Sequence, residues 1–117
     1  MNPFDYSLCR QTVTVYRQTD GEVRRQVVEN CCLHHSCGAA TEKYGKSRWK
    51  KFLLIIPGDV PLEPGDRIFQ GIGPQEVQWQ SFVPGLVPGV YEVGYAKPCC
   101  WDGAVVHWEA GSGKENL

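Results

Sequence analysis

Alternating apolar and polar positions define the first part of the chain. Residues 11–18, QTVTVYRQ, place two valines between polar neighbours, which is the period-two pattern of a half-buried β-strand. Asp20 and Gly21 follow, and this dipeptide favours a tight hairpin turn because both central positions of such a turn have positive φ. A second strand is therefore predicted to return over about 22–33.

Short apolar stretches separated by turns continue towards the C-terminus. The stretch RWKKFLLIIP at 48–57 predicts a strand that ends at its proline, because proline has no amide hydrogen for a sheet ladder. A short strand is predicted at 66–71. Alternation at 89–97 and at 104–110 predicts a closing hairpin across CCWDG. Four Pro-Gly dipeptides suit tight turns, because proline fixes φ at one position and glycine accepts positive φ at the next.

Long helical periodicity and solenoid-length repeats do not occur in this pattern. Residues 36–47 are polar and contain two glycines, which predicts a long loop. Only residues 74–82 could form a helical turn or two. The sequence therefore predicts a mainly β fold, a small β-barrel or β-sandwich with at most one short helix.

The length and composition are those of one globular domain. The chain has 117 residues, of which 42% are apolar and 21% charged, enough to form one core and remain soluble. We assign residues 1–111 to a single β domain. Residues 112–117 are set aside, because GSGKENL resembles a flexible linker and the start of a protease-cleavable purification tag. A formal charge of -1 gives no global attraction to nucleic acid.

Cysteine is abundant, and the segment NCCLHHSC at 30–37 contains three of the six cysteines with two histidines. No secretory signal precedes it, so the expected compartment is reducing and the expected state is free thiols. One interpretation is that Cys31 or Cys32 is a small core residue on a strand, with the histidines at the entrance to a loop. The other is a structural zinc site, whose candidate ligands are Cys32, His34, His35, Cys37, Cys99, Cys100 and His107.

Neither cysteine-rich segment contains a Cys-x-x-Cys pair, and the spacing alone does not decide between these interpretations. No nucleophile motif surrounds the thiols, and GIGP at 71–74 lacks the glycine pattern and the lysine of a phosphate-binding loop. We therefore expect no enzyme activity and assign no catalytic, cofactor-binding or metal-ligating residue.

The most distinctive charged stretch is KYGKSRWKK at 43–51, where basic residues alternate with aromatic ones. Such a run is commonly the solvated face of a loop, but it can also hold a phosphate backbone through charge and counterion release. The candidate nucleic-acid contacts are Lys46, Arg48, Lys50 and Lys51.

The order of these features resembles a family of small structural proteins of tailed phages and prophages. The resemblance extends over residues 11–111 and is carried by VTVY, the return strand ending in NC, the long polar loop, FLLIIP, PGDRIFQGIG and the final strand HWEAG. Members of this family are encoded among the head morphogenesis proteins and are minor capsid or head-tail joining components. NCCLHHSC and the PCCW turn depart from the family pattern.

The resemblance implies a noncatalytic connector or completion protein at the neck of the virion. It implies that copies associate as a ring on the portal, bind tail proteins, and line or approach the channel of packaged DNA, without a membrane contact. The location would be the head-tail junction, after assembly in the host cytoplasm. A small zinc-binding or nucleic-acid-binding module is the alternative.

Overall fold

The fold is a curled half-barrel of seven antiparallel strands. A computed structural model describes residues 4–35 and 51–113, with 54% of them in strands and 3% in helix, which confirms the mainly β prediction. The strands are β1 (Gln11–Thr19), β2 (Glu22–His35), β3 (Phe52–Pro57), β4 (Arg67–Gln70), β5 (Val90–Glu92), β6 (Tyr95–Trp101) and β7 (Ala104–Gly111). Their order in the sheet is β5-β4-β1-β2-β3-β7-β6. The helical content of the described residues is one 3-10 turn, Trp79–Ser81, and it is too short to cross a membrane.

The first hairpin forms as the sequence predicts. Asp20 and Gly21 have φ values of 54° and 79°, so both central positions of the turn are left-handed. The register then runs from Thr19 opposite Glu22 down the length of β1. Because β4 pairs with the other edge of β1, this strand lies inside the sheet rather than at its margin.

Strand β2 bends from one half of the sheet to the other. Its first part pairs with β1, whereas Cys32 to His35 pair with β3. A register shift lies at the bend, where Asn30 has a φ of 60°. An extra residue in the left-handed region is typical of a G1-type β-bulge, and a bulge increases the local twist of the strand. One long strand can therefore serve both halves of the half-barrel.

The two outermost strands, β5 and β6, are joined by only Val93 and Gly94. The Val93 N–H donates to the Asp66 carbonyl at 2.8 Å, beside β4, and the Gly94 N–H donates to the Gly111 carbonyl at 2.7 Å, in β7. These two bonds hold opposite ends of the strand order together. A Cβ at position 94 would collide with the Ser112 carbonyl oxygen, so this close approach requires glycine.

The predicted closing hairpin differs from the observed one. The sequence predicted a single strand at 89–97, but the structure divides this stretch between β5 and β6, and only β6 pairs with β7. Strand β6 continues through Trp101, and a two-residue turn at Asp102 and Gly103 follows, with φ values of 55° and 79°. Between β5 and β6 the pairing partner changes from β4 to β7, because the half-barrel curls. The pattern of a single strand contains no information about this curl.

Inward-facing aliphatic and aromatic side chains from both halves of the sheet form the main core. Strand β3 shows the alternation clearly, because Phe52, Leu54 and Ile56 are buried and the residues between them are half-buried. The remaining members of the core are Val13, Val15, Val28, Cys31, Leu33, Leu62, Ile68, Tyr91, Val93 and Ala110.

A second apolar cluster covers the opposite face of β1. Tyr16 is fully buried and stacks edge-on against Phe82, with ring centroids 4.7 Å apart, in the segment 72–89. The Tyr16 hydroxyl donates to the Pro74 carbonyl at 2.6 Å, and the Thr14 hydroxyl next to it in the strand is also buried. The sequence predicted a half-buried strand, whereas β1 is buried on both faces because this segment folds back over it.

Candidate functional site

An open groove of about 310 Å³ lies where β1 and β4 meet the turn that precedes β4. Charged side chains of both signs dominate its lining, and one indole ring forms part of its wall. The lining residues are Arg17, Gln18, Glu63, Pro64, Gly65, Asp66, Arg67, Trp79 and Glu92.

A bidentate ion pair forms one side of this groove. The Arg17 Nε and Nη2 atoms donate to the two carboxylate oxygens of Asp66, each at 2.8 Å, and Asp66 is 1% exposed. The Glu63 N–H donates to the same carboxylate at 2.9 Å, and Arg17 also donates to the Pro61 carbonyl at 3.2 Å. Hydrogen bonding to Asp66 raises the pKa of Arg17 above its usual value. The pair therefore ties β1 to the turn before β4.

A second arginine, Arg67, holds the segment 72–89 against β4. The Arg67 guanidinium lies over the Trp79 ring, 3.9 Å from its centroid, and donates to the carbonyls of Trp79 and Phe82. Burial lowers the pKa of Arg67, which the charge of Glu92 partly offsets. The Nε atom of Arg67 is buried and has no hydrogen-bond partner among residues 4–35 and 51–113. Both arginines thus stabilise the fold at this groove, Arg17 through its ion pair with Asp66 and Arg67 through cation-π and carbonyl contacts.

The sulfur-rich segment divides between the two faces of β2. Cys31 is fully buried in the core, and its thiol donates to the Gln11 carbonyl at 3.2 Å. Burial raises the pKa of Cys31 to about 11. Cys32 is half-buried on the opposite face, with its sulfur 3.7 Å from Nε2 of His34. The core interpretation is therefore confirmed for Cys31, and the exposed His34 and His35 do end the strand as predicted.

The other cysteine-rich segment lies in the last hairpin. Cys99 is half-buried and stands opposite His107, whereas Cys100 is exposed. His107 is 5% exposed, and its Nδ1 atom is hydrogen-bonded to the Tyr6 hydroxyl at 2.6 Å. Burial lowers the pKa of His107, and Glu109 acts in the opposite direction. This histidine therefore packs the N-terminal residues against β7.

The candidate zinc ligands of the two cysteine-rich segments do not form a metal centre within the described ranges. No three His, Cys, Asp or Glu side chains there are grouped closely enough to hold a metal ion. Cys37, which the zinc alternative also uses, lies outside those ranges.

Most of the predicted nucleic-acid contacts also lie outside the described part of the chain. Lys46, Arg48 and Lys50 are among residues 36–50, as is the whole of the long loop that the sequence predicts at 36–47. Lys51 is described, and it is exposed directly before β3. A DNA contact at this basic stretch therefore stays a prediction.

Large apolar side chains are exposed at several turns and connecting segments. The exposed fractions are 82% for Leu8, 71% for Ile72, 69% for Leu86 and 44% for Trp101. Trp101 precedes the tight turn between β6 and β7, so its indole lies at the tip of a hairpin. Such residues commonly provide contacts in protein interfaces, where aromatic side chains are enriched.

Sequence reasoning missed the arginine interactions that organise the groove. Asp66 follows a Pro-Gly turn, where an aspartate carboxylate commonly caps nearby backbone amides, and the bond from the Glu63 N–H fits that role. The pairing with Arg17 depends on the alignment of β1 with β4. Adjacent charges in the stretch DRIFQ were the available signal, but they do not identify a partner 49 residues away.

Comparisons with known proteins give no family assignment. No protein-family model matches the chain, and neither a curated protein nor a solved structure does so. The functional argument therefore depends on the residues and contacts described above.

Proposed function

We propose that this chain is a noncatalytic assembly protein of a tailed phage or prophage, a minor capsid component that joins head and tail. Its partners would be the portal or neck on one side and tail proteins on the other, with copies associating as a ring on that platform. The order of sequence features supports the family, and the curled antiparallel sheet is compatible with such a small binding domain.

The observation that carries this proposal is how the chain uses its reactive and its apolar side chains. The buried thiol of Cys31 and the imidazole of His107 are engaged in packing the fold, as are the two arginines of the groove. In contrast, Leu86 and Trp101 are exposed on a connecting segment and a hairpin tip. This distribution favours recognition through protein surfaces.

The two outermost strands provide a second supporting feature. Strands β5 and β6 end the strand order, and each pairs with a single neighbour in the described sheet. An outer strand can accept a strand or loop from another subunit, since its main-chain groups are aligned for a further ladder. Contacts of this kind would form on assembly rather than in the isolated chain.

Deletion of the gene from its phage or prophage tests the proposal. Negative-stain electron microscopy of the induced lysate should show DNA-containing heads separated from tails. Addition of purified wild-type protein should restore joined, infectious particles. A Trp101→Ser variant should restore fewer of them, with Val27→Ser as a matched control because Val27 is a partly exposed residue on β2.

Two results would contradict the proposed assembly role. Deletion particles with normally attached tails would show that joining does not need the chain. One tightly bound zinc ion per chain, combined with normal particles, would instead favour the small zinc-binding module.

A further inference from the structure

The last residues of β2 place a thiol beside an imidazole on the outer face of the sheet. The Cys32 sulfur lies 3.7 Å from Nε2 of His34, and the two side chains share a face because they are two residues apart in the strand. Main-chain positions two apart in a strand are about 6.5 to 7 Å from each other, so these side chains converge at their tips. The pair is also accessible, since Cys32 is only half-buried and His34 is exposed.

The separation of these two atoms matches that of neighbouring zinc ligands. Zinc binds thiolate sulfur at about 2.3 Å and imidazole nitrogen at about 2.0 to 2.1 Å, in a tetrahedral arrangement. Bonds of these lengths at the tetrahedral angle place a sulfur and a nitrogen ligand about 3.6 Å apart. The 3.7 Å between Cys32 and His34 therefore lets both atoms coordinate one ion with almost no rearrangement.

The neighbouring cysteine and histidine of β2 do not contribute to this pair. Cys31 is 0% exposed and donates its S–H to the Gln11 carbonyl in the core. His35 lies on the same face of the strand as the core, with its ring 5.8 Å from that of Tyr91. One chain thus supplies two ligands here, in agreement with the absence of any group of three among residues 4–35 and 51–113. A closed structural zinc site has four ligands, so the pair is half of one.

The surroundings of the pair suit the approach of a second copy. On β3, Ile55 stands opposite Cys32 and Leu53 stands opposite His34, and both apolar side chains are half-buried. Directly opposite residues of an antiparallel pair share a face of the sheet. On the other side of β2 the pairing with β1 ends at Cys31, so no described strand flanks residues 32–35 there. The two ligands therefore border an apolar surface at an open margin of the sheet.

We propose that Cys32 and His34 are a half-site for zinc, which the same two residues of a second copy complete across a twofold axis. A twofold contact brings the same patch of both subunits together, so the ion receives two thiolates and two imidazole nitrogens. This is a usual ligand set of structural zinc. Each thiol loses its proton on binding, so two protons are released per ion, and the imidazoles bind in their neutral form. Leu53 and Ile55 of both copies would be buried beside the ion.

This inference is independent of the assembly role. It depends on the geometry of β2 and β3 and needs no phage partner. Its tests use the purified chain alone, whereas deletion of the gene tests the assembly role, so either can fail without the other.

Zinc titration of the purified protein tests the proposal. The protein is reduced, stripped of metal with a chelator and titrated with zinc chloride. After dialysis, elemental analysis should find one zinc ion per two chains, and size-exclusion chromatography with light scattering should show that monomers have become dimers. Excess chelator should reverse both changes. X-ray absorption at the zinc edge should show two sulfur and two nitrogen neighbours for each ion.

Single substitutions identify the ligands. Cys32→Ser and His34→Ala should each abolish zinc retention and the zinc-dependent dimer. His35→Ala and Cys100→Ser are the matched controls, because they remove the same residue types from the other face of β2 and from β6, and both should retain zinc and dimerise. Circular dichroism without metal verifies that each variant is folded, and His34 is exposed, so its replacement should not disturb the core.

Three results would overturn the proposal. One zinc ion per monomeric chain would show that a single copy closes the site. A wild-type protein that retains no zinc would show that the contact between Cys32 and His34 is only a hydrogen bond. A zinc-dependent dimer that persists in His34→Ala would show that other residues bind the ion.

Discussion

Removal of the Arg17 guanidinium should destabilise the protein strongly, because it leaves the buried Asp66 carboxylate without its main partner. We choose Arg17→Met, which keeps much of the apolar stem and so limits the loss of packing. Two charge-assisted hydrogen bonds of 2.8 Å are lost, and only the Glu63 N–H, at 2.9 Å, still donates to the carboxylate. Breaking a buried ion pair from one side typically costs about 3 to 5 kcal/mol.

The lower end of that range applies here. The Arg17 side chain is 32% exposed, so water can replace part of its contribution, although the Asp66 side chain is only 1% exposed. We therefore expect the free energy of unfolding to fall by about 3 kcal/mol. With a urea m-value of about 1 to 2 kcal/mol/M, the unfolding midpoint should decrease by roughly 1.5 to 3 M.

The assay is equilibrium urea unfolding under reducing conditions, followed by tryptophan fluorescence. Arg24→Met is the matched control: Arg24 is exposed directly opposite Arg17 in the β1–β2 ladder, and its loss should change stability by less than about 0.5 kcal/mol. In a double-mutant cycle with Asp66→Asn, the double variant should be more stable than the sum of the single effects predicts, by about 2 kcal/mol. A loss below about 1 kcal/mol for Arg17→Met, or a coupling near zero, would refute the reasoning.

Three further predictions concern pH, backbone approach and DNA. Burial lowers the pKa of His107 below 6.5 despite Glu109, so its neutral form contributes stability that is present above about pH 6.5 and lost as the pH falls towards the lower folded-state pKa. Thermal melts between pH 8 and 5 should show this loss of stability, and His107→Gln should reduce it. Gly111→Ala should lower the free energy of unfolding in urea by more than about 1 kcal/mol, because its Cβ would collide with the Tyr95 ring. Gly85→Ala, with open space around it, should change the free energy little. Equal effects of the two substitutions would contradict the prediction. The last prediction concerns neutral replacements of the basic residues Lys46, Arg48, Lys50 and Lys51. These replacements should reduce DNA retention in assembled heads, measured as encapsidated DNA per particle. Unchanged retention would discard the channel contact.

The strands could be predicted from the sequence because their signals are local. Alternation identified β1, the apolar stretch ending at Pro57 identified β3, and Asp20-Gly21 identified the first turn. The bend of β2 and the change of partner at Val93 could not be predicted, because both depend on how the whole sheet curls. Local patterns fix the period of a strand, whereas its neighbours depend on contacts distant in the sequence.

The candidate site was predictable only in part for the same reason. Strand periodicity requires that Cys31 and Cys32 face opposite sides of the sheet, so one of them had to be a core residue. The burial of Cys9 depends on how the N-terminal segment packs against the sheet, which its own sequence does not show. The pairing of Arg17 with Asp66 likewise needs the β1–β4 register, which no short motif contains.

Cryo-electron microscopy of the neck of purified virions tests the proposed assembly role most directly. The account predicts a ring of copies of this half-barrel between the portal and the tail, with the hairpin tip at Trp101 or the segment around Leu86 in contact with a neighbouring protein. Reconstructed necks that contain no density for the chain, from particles whose heads and tails are joined, would contradict it.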